Sequence, residues 1–178
     1  MDEDAFFRAT DACKSKFRKS LLARVEWFTH QTPCSNFLSI QNSGLLICGK
    51  NKSICPQVIK ELFGENSENF LCLRPFGAPP GTGSSGWGPF LTLAIHKTNL
   101  PDRISLDWSH TAIKGPMNEI TSVTEIGRQA ARIAFCSGSI ICYDNIHVKH
   151  LRIRTVDCSE HPAGWPSITK KGIQIHCG

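Results

Sequence analysis

The chain has 178 residues and a mass of 19.7 kDa, the size of one ordinary domain with a real hydrophobic core. Apolar residues make up 40% and charged residues 20%, which excludes a fully disordered chain, a collagen and a long coiled coil. No apolar run approaches the ~20 residues that cross a bilayer, so we expect no transmembrane segment. The acidic start, Asp2 to Asp4, is unlike a secretory signal, and we expect an intracellular protein, cytoplasmic or nuclear, that is not secreted.

The first predicted element is one amphipathic helix within residues 1–30. Apolar residues recur at steps of three and four from Phe6 to Phe28, and the acidic residues at its start favour the helix dipole. The apolar stripe must be buried, either against the rest of the chain or against a partner.

The next two predicted elements are a hairpin and a compact helix. Residues 37–40 and 45–48 are predicted to pair around a turn that contains Gly44. Residues 56–63 follow a helical pattern that starts with a proline and stops at Gly64.

A Gly/Pro/Ser-rich segment, residues 77–89, is predicted to be a loop. It is followed by two alternating segments, 91–95 and 104–108, that predict strands. A capping-box spelling then opens a helix over residues 122–134. Short apolar segments predict the remaining strands: 140–143, 151–155 and 173–175.

This order of elements predicts an α+β fold, with a mainly antiparallel sheet and two or three packed helices. We expect two regions along the chain: the basic amphipathic helix of residues 1–30, and a single α+β domain over residues 31–178.

The net charge is +5, and its distribution says more than its total. Two segments concentrate basic residues, and if each is exposed it is suited to an anionic partner. The basic residues are, in the first segment, Lys14, Lys16, Arg18, Lys19 and Arg24, and, in the second, Lys149, Arg152 and Arg154.

The leading hypothesis is a non-enzymatic protein that binds RNA, DNA or an anionic membrane surface through these two segments. It requires the two segments to lie side by side in the folded protein. A compact basic protein of this size suits an accessory or assembly role, including a viral one. A further hypothesis is a homo-oligomer in which the apolar stripe of the first helix docks into a neighbouring subunit.

Zinc is the one cofactor that the sequence suggests. His147, His150, Cys158 and His161 are ligand types that tetrahedral zinc prefers, and they come in pairs with two-residue gaps. If residues 150–156 form a strand, however, His147 and His150 point to opposite faces. The alternative is therefore a set of surface histidines and one thiol.

Two enzymatic alternatives are weaker. A metal-dependent nuclease or hydrolase would use Asp102, Asp107 and the histidine cluster, but no acid-x-Lys pair follows on a strand. A cysteine nucleophile at Cys136 or Cys142 would need a histidine base that spacing alone does not supply. The GxGxxG spelling at residues 81–86 precedes no helix, which argues against a nucleotide cradle.

The nine cysteines include no CxxC pair and are odd in number. Free cysteine packs as a small apolar side chain, so we expect most of these residues to be core rather than part of a disulfide framework.

Overall fold

The structure is a computed structural model that describes residues 2–50, 54–78, 90–109, 125–155, 157–169 and 172–174. Most of the predicted loop, residues 79–89, and the predicted helix start at residues 122–124 lie outside these ranges. The fold is α+β with an antiparallel sheet, which confirms the fold class predicted from the sequence.

The described ranges contain five α-helices, more than the two or three predicted. They are α1 (Glu3–Ala12), α2 (Lys14–Leu22), α3 (Phe37–Ser43), α4 (Gln57–Phe63) and α5 (Ile126–Ser137). The start of α1 is capped by the Asp2 carboxylate, which accepts a 2.7 Å hydrogen bond from the Ala5 N–H.

The prediction of a single helix within residues 1–30 is wrong in two respects. The helix is interrupted at Cys13, where φ is −105° and ψ is 21°, and α2 ends at Leu22. Phe28 belongs to a strand and fits the helical spacing by coincidence. The apolar stripe is buried in the core of its own chain: Phe6 is 0% exposed and Phe17 is 2% exposed. It is therefore not available to dock into a neighbouring subunit.

Eleven strands are described. They are β1 (Trp27–Pro33), β2 (Leu45–Leu46), β3 (Gly49–Lys50), β4 (Asn69–Pro75), β5 (Phe90–His96), β6 (Ile104–Leu106), β7 (Ile140–Cys142), β8 (Ile146–His147), β9 (Leu151–Ile153), β10 (Ser167–Thr169) and β11 (Gly172–Gln174). The main sheet has the order β11-β10-β9-β5-β1-β4-β7-β6, with β3 added beside β4, while β2 and β8 form a separate pair. Every described pairing is antiparallel.

The hairpin predicted around Gly44 is wrong, because its first half is α3. Gly44 has a φ of 73° and its N–H donates to the Ile40 carbonyl at 3.0 Å, so it ends a helix in the left-handed conformation. The second half, β2, pairs with the distant β8 rather than with its neighbour in sequence.

The main sheet has a seam between β1 and β4. Only Phe28 and Thr29 of β1 pair with β4. Beyond them, the His30 Nδ1–H donates to the Cys72 carbonyl at 2.9 Å, so a side chain replaces the backbone ladder. Burial lowers the pKa of His30, which keeps the ring neutral and suits it to this role.

The two faces of the sheet are covered differently. The large core includes the apolar faces of α1, α2 and α5, and it takes side chains from one face of β1 and β5 but from both faces of β7. The other face of β1 and β5 carries a smaller cluster built on Trp27, Ala94 and Trp165. Helices α2 and α5 cross closely at Gly127, where a Cβ would stand 3.0 Å from the Lys16 Cβ.

Candidate anion-binding cleft

A polar cleft of about 400 Å³ lies at one end of the sheet, where β1 begins, β5 ends and β9 begins. The register explains its position, because Trp27 pairs with His96 and Ile95 pairs with Leu151. The chain segment before β9 and the turn after β5 complete the walls. The lining residues are Trp27, His96, Asn99, Lys149, His150, Leu151, Arg152 and Ser167.

Arg152 is held firmly at the side of this cleft. Its Nη1 donates to the carbonyls of Ala163 and, at 3.5 Å each, Pro162 and Trp165. Its guanidinium carbon also lies 5.1 Å from the centre of the Trp27 ring. A guanidinium carries five N–H groups, and those on Nε and Nη2 make no hydrogen bond with the described residues. Arg152 is thus fixed by part of its fork and retains donors for a ligand.

Trp27 is both a lining residue and a buried polar group without a partner. Its side chain is 6% exposed, and within the described ranges its Nε1–H finds no acceptor. The His96 ring packs against it edge-on, with the centroids 4.9 Å apart. A buried donor without an acceptor is uncommon in proteins, which makes this position notable.

The lining contains basic residues and no Asp or Glu. Lys149 is exposed, and the pKa of His150 is lowered, first by partial burial and then by the positive charges of Lys149 and His147. Outside the lining, the Glu26 carboxylate lies 3.5 Å from the Nε2 of the lining residue His96. The electrostatic environment therefore favours an anion.

The end of α2 is fastened to the same end of the sheet. The Lys97 ammonium donates to the Leu22 carbonyl at 3.1 Å, and the Lys97 N–H donates to the Glu26 carbonyl at 2.8 Å. Arg24 lies between these two anchor points and is exposed. The segment from Arg24 leads directly into β1, which is two strand spacings, about 10 Å, from β9. The end of the first basic segment and the start of the second thus lie at one end of the sheet.

The five basic residues of the first segment differ in their surroundings, although all except Arg18 are exposed. Arg18 donates to the Leu100 and Pro101 carbonyls at 2.6 Å each, so it is a structural tether. Lys14 lies 4.0 Å from the Asp11 carboxylate. Lys16 packs where α2 crosses α5, as described above.

Lys19 and Arg24 remain as exposed cations without an ion pair to the described residues. In the second segment, Lys149 and Arg154 are exposed, and Arg154 stacks 5.9 Å from the Trp165 ring. Of the eight basic residues proposed from the sequence, six are exposed, including Lys14 and Lys16, while Arg18 and Arg152 are partly buried.

The structure also brings forward residues that the sequence argument missed. Asn99, His96 and Ser167 line the cleft but carry no sequence signal, because strand register alone places them together. Arg128 and Arg132 are exposed on α5 beside α2, with Arg128 lying 3.7 Å from Glu125. The last two could have been found, since they fall on the polar side of a clear helical pattern.

The predicted zinc ligands are not gathered into one site. The rings of His147 and His150 are 6.3 Å apart. The Cys158 thiol is hydrogen-bonded to the Thr155 backbone. It donates to the Thr155 carbonyl at 3.0 Å and accepts from the Thr155 N–H at 3.2 Å. The His161 Nδ1 accepts a backbone N–H two residues along. Across the described ranges, no three His, Cys, Asp or Glu side chains are close enough to hold a metal ion.

The acids of the nuclease alternative are separated in the same way. Asp107 is 3% exposed and its carboxylate accepts hydrogen bonds from Ser109 and Ser139, so it is a structural group. The Asp102 side chain is 95% exposed and lies 3.5 Å from Arg18. These two carboxylates do not share a metal site.

Neither candidate cysteine has the surroundings of a nucleophile. Cys142 is buried, its thiol donates to the Asp144 carbonyl at 3.3 Å, and burial raises its pKa to about 12. Cys136 is exposed on α5 and makes no hydrogen bond with the described residues.

Two other cavities differ in chemistry from the cleft. One of about 340 Å³ lies between α2 and β6, with Phe7, Phe17 and Phe63 among its walls. The other, of about 270 Å³, lies at the seam and is lined by His30 and mostly apolar side chains of α3 and β4. The first also contains Lys14, Arg18 and Arg103, but Asp11 and Asp102 lie in the same lining, whereas the lining of the cleft has no acid.

Comparison with models of protein families, with curated proteins and with solved structures finds no match to this chain. The helices within the described ranges are too short and too polar to cross a bilayer.

Proposed function

We propose that this protein binds nucleic acid, RNA or DNA, and that it does so by contacting phosphates. The observation that carries the proposal is the lining of the cleft, which contains Lys149 and Arg152 and no acid. Arg24 lies outside this lining, in the segment that connects α2 to β1. Lysine and arginine that neutralise phosphates release counterions, which drives association.

The aromatic side chains favour contact with phosphates over contact with bases. Trp27 and Trp165 are 6% and 2% exposed, and each has an arginine over its ring. Base readout by stacking needs exposed aromatic faces. Phosphate contacts position a protein on a strand without reading sequence, so the binding should show little sequence preference.

A nucleic acid suits the cleft better than a membrane surface does. A flat lipid surface does not enter a concave site, and helices that bind membranes insert an exposed apolar face. The apolar face of α2 is buried in the core. The large apolar side chains that are exposed, such as Leu38, Ile47 and Ile54, do not line the cleft.

The test is fluorescence anisotropy with a labelled 20-nucleotide single strand across a series of salt concentrations. The double variant Arg24→Gln, Lys149→Gln should bind more weakly. Its plot of log K against log salt should be shallower by about 1.4, because each lost phosphate contact contributes about 0.7 for a single strand. The matched control is Lys50→Gln, Lys60→Gln, which removes the same charge from β3 and α4 and should keep the wild-type slope.

Two outcomes would overturn the proposal. One is a cleft variant with the same slope as the control. The other is a protein that binds vesicles containing anionic lipid but neither strand type, since that would identify a membrane as the partner.

A further inference from the structure

We infer that the cleft receives the end of a nucleic-acid strand and recognises its terminal phosphomonoester. This inference rests on the proposed function and specifies which part of a strand the cleft binds. The donors, the charge and the shape of the cleft each favour this ligand.

The cleft offers a phosphate donors from four different residues. Besides the remaining N–H groups of Arg152 and the Lys149 ammonium, it contains the Ser167 hydroxyl and the Asn99 amide, neither of which is hydrogen-bonded to the described residues. An internal phosphodiester has two terminal oxygens. A phosphomonoester presents three strong acceptor oxygens, which matches this set more closely.

The charges lead to the same ligand. Two permanent cations, Lys149 and Arg152, share one small site, and His150 lies beside them. An internal phosphate carries one negative charge, whereas a phosphomonoester carries about 1.5 to 2 at pH 7. The second cation is therefore neutralised by a strand end and not by an internal linkage.

The shape limits how much of a strand can enter. A volume of about 400 Å³ is near the lower end of the range for small-molecule sites, so it admits a nucleotide-sized group and not a duplex. Trp27 is part of the lining, and its ring lies beneath the Arg152 guanidinium, which it helps to hold at the wall of the site. Because Arg24 stands outside the lining, the rest of the strand can continue past it.

The experiment compares strands of one sequence that differ only at their ends: a 5′-phosphate, a 3′-phosphate, and hydroxyl groups at both ends. The wild-type protein should bind one phosphorylated strand about tenfold to a hundredfold more tightly than the hydroxyl strand, as expected for one or two added charge-assisted hydrogen bonds. Lys149→Gln and Ser167→Ala should reduce this ratio. Arg24→Gln should weaken binding of all strands and leave the ratio unchanged.

Arg152→Lys, which keeps the charge but loses the fork, should also lower the ratio; a thermal melt will show whether this variant is folded. Competition with inorganic phosphate separates the strand end from the free ion. A 5′-mononucleotide or 3′-mononucleotide should displace the phosphorylated strand at a lower concentration than inorganic phosphate does.

Equal affinity for phosphorylated and hydroxyl strands would overturn the recognition of strand ends. If the salt slope still became shallower in Arg24→Gln, the proposed function, binding of nucleic acid through phosphates, would remain supported. A preference that survives Lys149→Gln and Ser167→Ala would also overturn the inference, because the end would then be recognised elsewhere. Inorganic phosphate that competes as well as the mononucleotides would show a site for the free ion and contradict recognition of a strand end. A wild-type protein that binds none of these strands would refute both proposals.

Discussion

Arg18 and Lys19 are adjacent basic residues for which the structure predicts opposite phenotypes. Arg18 donates one hydrogen bond to each of two backbone carbonyls at 2.6 Å, and its side chain is only 24% exposed. Lys19 is exposed and makes no ion pair with the described residues. Substitution of Arg18 should therefore reduce stability, whereas substitution of Lys19 should reduce nucleic-acid binding.

The magnitude follows from the contacts. A hydrogen bond to a charged group contributes about 1.5–3 kcal/mol, and the two are not fully additive because water can replace part of them. We expect Arg18→Gln to lower the free energy of unfolding by about 2–4 kcal/mol, which corresponds to roughly 5–15 °C in Tm for a chain of this size. Lys19→Gln should change it by less than about 0.5 kcal/mol.

Urea unfolding of the two variants measures this difference directly. Arg18→Lys is the informative third variant, since it keeps the charge but cannot reach both carbonyls, and it should retain most of the loss. In the binding assay, Lys19→Gln should give a shallower salt slope, while Arg18→Lys should keep the wild-type slope. An Arg18→Gln variant as stable as the wild type would contradict this prediction. A Lys19→Gln variant that loses as much free energy of unfolding as Arg18→Gln would also contradict it.

Other parts of the fold give three further predictions. Burial holds the pKa of His30 below its ordinary value of 6.5, so the unfolded chain binds a proton more readily than the folded protein does. The contribution of His30 to the free energy of unfolding should therefore be complete above pH 6.5 and decrease as the pH falls below 6.5. Urea titrations at several pH values measure this dependence, and His30→Asn should flatten it. Gly127→Ala should cost about 1–3 kcal/mol in thermal or urea melts, because its Cβ would meet Lys16 at the helix crossing, and unchanged stability would show that the helices can separate. Tyr143→Phe should cost about 1–3 kcal/mol, since it leaves the buried Trp108 Nε1–H without its 3.0 Å acceptor, whereas a neutral result would mean that water replaces the hydroxyl.

Periodicity predicts the later elements well and the earlier ones less well. The strands at residues 91–95 and 140–143 alternate or are fully apolar, and they form as β5 and β7. β1 was missed because its sequence, WFTHQTP, is mostly polar after Phe28, although it is central in the sheet. Gly44 was assigned to a turn because a hairpin and a helix C-terminus both favour glycine with a positive φ.

The candidate site was predictable only in part. Charge clustering points to Lys149 and Arg24, and both are exposed in the structure, as lysine and arginine usually are. It could not show that Arg18 and Arg152 bind backbone carbonyls, because those carbonyls reach them only through the tertiary fold. The cleft itself depends on the register of three strands, which the chain does not reveal locally.

The seam between β1 and β4 divides the sheet into two mechanical units. The lining of the cleft comes from β9, β10, the ends of β1 and β5, and the segments next to β5 and β9, so it belongs to the unit that contains β11 through β1. Acid that protonates His30 should weaken the junction between the units, whereas the cleft lies on the β1 side of that junction and does not include His30.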